Sequence, residues 1–137
     1  MPAIISYPAE LPKGAARDQA ITVMDWFPTV LELCGVKRPE AKLDGYSVLP
    51  IIRSAEAESR HKTLYFQWQK RWAVREGDWK LIGQNSRLAL HNLADDRPEA
   101  KNYAGDRPEI VNRLRGRYDA WSKDVTARRQ ITQADRP

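Results

Sequence analysis

The sequence is poor in the residues from which catalytic and metal centres are usually assembled. It has one cysteine, Cys34, and two histidines, His61 and His91. A single cysteine excludes an internal disulfide, and without a Cys pair or an H-x-x-x-H spacing there is no zinc pattern. Cys34 lies in the apolar run VLELCGV, where a small packed residue is expected in preference to a nucleophile. Neither histidine has a partner close in sequence, so both are read as surface or structural groups. No glycine-rich phosphate loop and no G-x-S-x-G elbow occurs. No apolar run approaches the ~20 residues that span a bilayer, so no membrane span is expected, and the N-terminus lacks the regions of a secretory signal.

What is present suits one ordinary domain. The chain has 137 residues, 42% of them hydrophobic, with five tryptophans, enough to bury a modest core. A net charge of +5 arises from 23 basic and 18 acidic side chains. They are interspersed, as on a solvated surface, and the excess alone does not identify an anionic partner.

The organising stretch is Thr63 to Leu93, TLYFQWQKRWAVREGDWKLIGQNSRLALHNL. Its apolar residues alternate with polar ones, and Glu76-Gly77 and Asn85-Ser86 supply turns, the pattern of a half-buried antiparallel meander. A two-residue loop at Glu76-Gly77 would set Arg75 opposite Asp78, Val74 opposite Trp79 and Trp72 opposite Leu81. The Asn85-Ser86 turn would set Leu90 opposite Leu81. One face of this sheet then needs a cover. From Asp106, a good N-cap, a helix is expected to about Asp124, with Ile110, Leu114, Tyr118, Trp121 and Val125 forming one stripe to provide it. Residues 126–137 lack such a pattern and are expected to fray.

Before the meander, Ala3 to Ser6 reads as a short, nearly continuous apolar strand of the kind buried in a parallel sheet. Phe27, Val30, Leu31 and Cys34 recur at helical spacing, predicting a helix over Val23 to Cys34 that Gly35 ends. Asp25 is assigned to capping that helix. Tyr46 to Ile52 forms a short turn or helix, and Ser54 to Lys62 a charged connection. The fold class is therefore α+β, divided into residues 1–53 and residues 54–137, the latter a small antiparallel meander covered by a C-terminal helix.

Two clusters invite a functional reading. Asp95, Asp96 and Glu99 form an acidic loop, but the spacing is not that of an EF-hand and a solvated turn is expected. Gln67, Gln69, Lys70, Arg71 and Trp72, with Trp68 among them, bring amides, cations and indoles to a strand connection. They are the candidate substrate-binding residues, suited to a sulfated, phosphorylated or carboxylated ligand. An ordinary polar hairpin flanked by core tryptophans explains the same residues.

Several segments in order resemble the C-terminal third of the sulfatases, the arylsulfatase-type branch of the alkaline-phosphatase-like superfamily. They are PAIISYP-x-ELPKG, VMDWFPTVLELCGV with LDGYSVLP, WAVREGDWKLI with LALHNLADDRPEAKN, and DRPEIVNRL. The resemblance implies a C-terminal fragment of a hydrolase of aryl or carbohydrate sulfate esters. Residues 1–53 would complete the large α/β domain of the α/β/α sulfatase fold and residues 54–137 would form its small C-terminal subdomain. It implies catalysis by formylglycine, made from the Cys or Ser of a C/S-x-P-x-R motif, with calcium polarising the sulfate. Cys34 lacks the proline and Ser6 lacks the arginine of that motif, so catalytic residues, metal ligands and calcium itself are expected outside this chain. By itself it is then expected to be inactive, its partner being the missing N-terminal catalytic part and its substrate a sulfated small molecule or glycan. A periplasmic or secreted location is implied by resemblance alone. The alternative is a stand-alone basic module binding an anionic glycan or single-stranded nucleic acid, the latter not favoured. A third reading is an inactive structural partner that completes another chain's sheet.

Overall fold

A computed structural model of the chain describes residues 3–134, with side chains as far as residue 127. It contains two compact units, residues 1–61 and residues 62–137. The division falls at 61/62, not at 53/54, because side chains of the first unit hold segment 54–61 to it. Gln19 Nε2 donates to the Ala55 and Ala57 carbonyls at 2.7 and 3.0 Å, and Ser59 Oγ donates to the Ala20 carbonyl at 2.6 Å.

In the first unit, the residues Ala3 to Ser6 form no strand, and Ile4 is 96% exposed. A strand is defined by its ladder, and among the described residues of this unit none lies alongside it. A 3-10 turn, Val23–Asp25, leads into helix α1 (Trp26–Leu33). Pro28 sits in the first turn of α1, where its missing N–H leaves no carbonyl unsatisfied. The helix ends as Gly35 predicts. With φ +63° at Gly35, its N–H reaches the Glu32 carbonyl and the Val36 N–H reaches the Leu31 carbonyl, closing a Schellman motif. The expected apolar stripe is not the buried side of α1. Phe27 and Val30 are about half exposed and Cys34 is exposed, whereas Pro28 and Thr29 are buried. Cys34 is therefore not the packed residue expected.

Helix α2 (Leu49–Arg53) buries Leu49 and Ile51, which with Leu11 and Val48 make the small apolar centre of this unit. Its last carbonyls are taken by Arg17, whose Nε donates to Ile51 O at 2.8 Å and whose Nη2 donates to Ile52 O at 3.1 Å.

The second unit is a meander of β1 (Thr63–Trp68), β2 (Arg71–Glu76), β3 (Trp79–Gln84) and β4 (Arg87–Asn92), hydrogen-bonded in that order and antiparallel throughout, followed by α3 (Pro108–Ala134). Leu81 faces Leu90 as the Asn85-Ser86 turn requires. The β2–β3 register differs from the expected one. The loop is Gly77-Asp78, so Glu76 pairs with Trp79, Val74 with Leu81 and Trp72 with Gly83. Gly77 takes φ +57°, a value that glycine adopts without cost and that places it inside the two-residue turn. The slip is two residues in pairing, so every side chain keeps its face.

The core lies between sheet and helix. Val74, Leu81, Leu90 and Leu114 are fully buried, with Val111 and Tyr118 nearly so. Trp72 stacks on Tyr118 with ring centroids 4.2 Å apart, and Tyr65 stacks on Trp121 at 5.1 Å. Glu76 accepts from Arg113 at 3.0 Å and from Arg117 at 2.7 Å, tying α3 to the edge of that core. Val111 belongs to the helix face as well, and Val125, at its far end, is 42% exposed. Helix α3 continues past Asp124 because propagation adds one hydrogen bond per residue, and TARRQITQA is rich in Ala, Arg and Gln, strong helix formers. Residues 135–137 of the segment expected to fray lie outside the described residues. Among those described, no helix is long and apolar enough to cross a membrane.

Candidate functional site

The first unit is organised around Asp25, whose side chain is 1% exposed. Its Oδ2 accepts from the Thr22 N–H at 2.6 Å and its Oδ1 from the Tyr46 N–H at 2.8 Å. His61 Nε2 stands 2.7 and 2.9 Å from the two carboxylate oxygens. The capping expectation is not met at α1, whose first N–H groups receive no side-chain bond from Asp25; the carboxylate reaches back to the N–H of Thr22. The reciprocal bond is missing, and Thr22 Oγ1 is buried without a partner. Tyr46 and His61 meet edge to face at 5.2 Å, and Arg60 lies 4.8 Å over the Tyr46 ring. Thr29 continues the network: its hydroxyl donates to the Asp25 carbonyl and accepts from the Val48 N–H.

Burial pushes the Asp25 carboxyl up, but the Thr22 and Tyr46 N–H groups and His61 outweigh it, and the net displacement is below the usual carboxylate range. A carboxylate so saturated has little left for a ligand. The cavity beside it is about 200 Å³, lined by Tyr46, Arg60 and His61 with apolar Ile21, Val48 and Ile51. His61 is thus not a lone histidine, and nothing local signalled its partner, 36 residues away.

In the second unit the acidic loop folds as a turn. Asp96 accepts from the N–H groups of Lys101 and Ala100, which hold its carboxyl below the ordinary range. Glu99 pairs with Lys80, and the buried His91 donates from Nδ1 to the Lys101 carbonyl at 2.9 Å. Among the described residues no group of three or more His, Cys, Asp or Glu could hold a metal ion.

The strand-connection cluster is divided by the sheet. Gln69 and Lys70 are the exposed two-residue turn between β1 and β2, with Gln69 at φ +52°. Gln67 and Trp72 pair across the strands on the face that meets α3. Trp72 belongs to the core, packed between Tyr118 and Gly83 with Arg115 5.2 Å over its ring. Arg71 and Trp68 point to the opposite face, where Trp68 is 74% exposed. The turn at Asn85-Ser86 brings Gln84 and Arg87 to that same end of the sheet. Neither stands out in the sequence until the register is known.

Comparison with known proteins gives a consistent set of relatives. The family described as N-sulphoglucosamine sulphohydrolase, C-terminal, matches residues 1–123. An uncharacterized sulfatase of Schizosaccharomyces pombe is 34% identical over 127 residues, covering 82% of this chain and 23% of the relative. Arylsulfatase D of Homo sapiens is 38% identical over 66 residues, 47% of this chain and 11% of the relative. A solved structure described in complex with its substrate, D-glucosamine-2-N,6-O-disulfate, superposes with a TM-score of 0.58 at 21% identity, covering 72% of this chain and 23% of that one. The chain spans about a quarter of the length of the first of these relatives.

Proposed function

We propose, on the premise that this chain belongs to the sulfatase family and carries its C-terminal region, that it is the C-terminal portion of a sulfuric ester hydrolase whose chemistry resides in residues outside 1–137. The match of residues 1–123 to the C-terminal part of a sulfatase carries this reading. In it, the first unit, residues 1–61, finishes the large α/β domain and the second, residues 62–137, forms the small subdomain. The exposed Val23, Met24, Phe27 and Val30 of the first unit are the kind of apolar surface that a larger body covers. A periplasmic or secreted location belongs to the same proposal.

The residues present do not fit the family's formylglycine and calcium. Cys34 is followed by Gly35-Val36-Lys37-Arg38 and Ser6 by Tyr7-Pro8-Ala9-Glu10, neither a C/S-x-P-x-R motif. Asp25 and Asp96 are already occupied by backbone N–H groups. No catalytic step is therefore derived from this chain, and its role is structural and substrate-positioning. The solved relative holding a disulfated glucosamine favours a sulfated carbohydrate as the substrate class.

The test is direct. Purified 1–137, supplied with calcium, is expected to give no turnover of an aryl sulfate above the buffer rate. Calcium-dependent hydrolysis by this chain would overturn the assignment of the chemistry to other residues.

A further inference from the structure

Only one face of the meander is covered by α3. On the other, the register sets Trp68, Arg71, Gln84 and Arg87 side by side in a single row across all four strands. Neighbours in such a row are separated by the strand spacing, about 5 Å, so the two guanidinium-bearing positions lie two strands, roughly 10 Å, apart. All four side chains are exposed, Trp68 at 74%. The other end of this face is occupied: Lys80 pairs with Glu99 and His91 is held by Lys101, both from the loop after β4.

Four arginines of this unit are engaged elsewhere. Arg113 and Arg117 take Glu76, Arg115 takes Asp119, and Arg75 Nε donates to the Gly77 carbonyl. Among the described residues Arg71 and Arg87 have no side-chain hydrogen bond or ion pair. An exposed indole at one end of a row that continues with a guanidinium, an amide and a second guanidinium is a recognisable chemistry. Guanidinium forks bind sulfate or carboxylate oxygens in two parallel bonds, the amide both donates and accepts, and the indole offers a flat apolar face.

We propose that the Trp68, Arg71, Gln84 and Arg87 row binds a sulfated oligosaccharide, a sugar ring lying on Trp68 and sulfate groups on Arg71 and Arg87. This rests on the sulfatase reading for its choice of ligand class, and it replaces Trp72 by Trp68 as the aromatic contact. Single-stranded nucleic acid is the competing ligand, because it too uses aromatics with cations, but it binds along a continuous basic groove with successive stacking platforms. The two arginines here are separated by Gln84.

The test is calorimetric titration of the 137-residue chain with a heparin-derived sulfated oligosaccharide, its desulfated counterpart and a single-stranded oligonucleotide. Trp68→Ala and the double variant Arg71→Gln with Arg87→Gln are expected to weaken sulfated-saccharide binding about tenfold or more. The control double variant Arg38→Gln with Arg97→Gln removes the same charge from exposed sites and is expected to bind within about twofold of the parent, as charge alone would not. All these side chains are exposed, and near-ultraviolet circular dichroism of the Trp72–Tyr118 stack checks that each variant is folded. Unchanged affinity in the row variants, equal loss in the control, or tighter binding of the oligonucleotide would each overturn the proposal. Such a failure leaves the sulfatase reading standing, since that reading rests on the match of residues 1–123 to the family, which this titration does not measure.

Discussion

Asp25 shows how far a residue can depart from what its neighbours in sequence suggest. By position it would cap α1, yet its side chain accepts from the preceding Thr22 N–H and from none of the helix's own. The greater part of its environment comes from Tyr46 and His61, which no local pattern connects to it. The consequence for pH follows in sign. A carboxyl held below its unfolded value contributes stability that is present above the unfolded pKa and lost as pH falls through the folded one. Thermal unfolding followed by circular dichroism is therefore expected to show the first unit weakening as pH drops below about 4, where an unfolded aspartate titrates. In Asp25→Asn that acid dependence should shrink. At neutral pH His61→Ala should cost about 1–3 kcal/mol by removing a partner of a buried carboxylate. An unchanged acid profile in Asp25→Asn would show that the Asp25 network does not hold the unit.

Among the elements, the meander was the most legible part of the chain, because alternation with a period of two identifies strands and turn residues separate them. The β3–β4 register follows from Asn85-Ser86, and Leu81 faces Leu90 as expected. The β2–β3 register differs from the expected one because Glu76 lies outside the turn, closing the ladder opposite Trp79 and receiving Arg113 and Arg117. The correct pairing explains Gly83. A Cβ there would fall inside the Trp72 indole, so the glycine makes room for the ring that stacks on Tyr118. Gly83→Ala is expected to cost about 1–3 kcal/mol, the range for overpacking a core. It should show as a lowered urea midpoint with reduced aromatic circular dichroism, and a variant matching the parent in both would refute the packing described.

Helix α1 was legible in extent and in its glycine stop, and illegible in orientation. Periodicity reports that a helix has an apolar side, not what that side meets. Within its unit α1 turns Thr29 and Pro28 inward because Thr29 and Asp25 receive the N–H groups of Val48 and Tyr46. Ala3 to Ser6 forms no strand in this unit for a related reason: strand formation needs a neighbour, and composition cannot supply one.

For the whole molecule, the first unit is held mostly by side chains hydrogen-bonded to backbone around a few apolar residues, whereas the second has a continuous core between sheet and helix. The candidate site was legible only as composition at a hairpin. Its division between the two faces, and the arrival of Arg87 beside Arg71, are products of the ladder. The family was legible because several segments carry it together in order, and residues 1–123 match the C-terminal part of a sulfatase while spanning about a quarter of the first relative's length. The central claim is that these residues complete a catalytic body encoded elsewhere in the same polypeptide. Sequencing the transcript upstream of the Met1 codon tests it most directly. An in-frame C/S-x-P-x-R motif together with a paired-aspartate motif is the predicted result, and an in-frame stop codon with an independent start immediately before Met1 would contradict it.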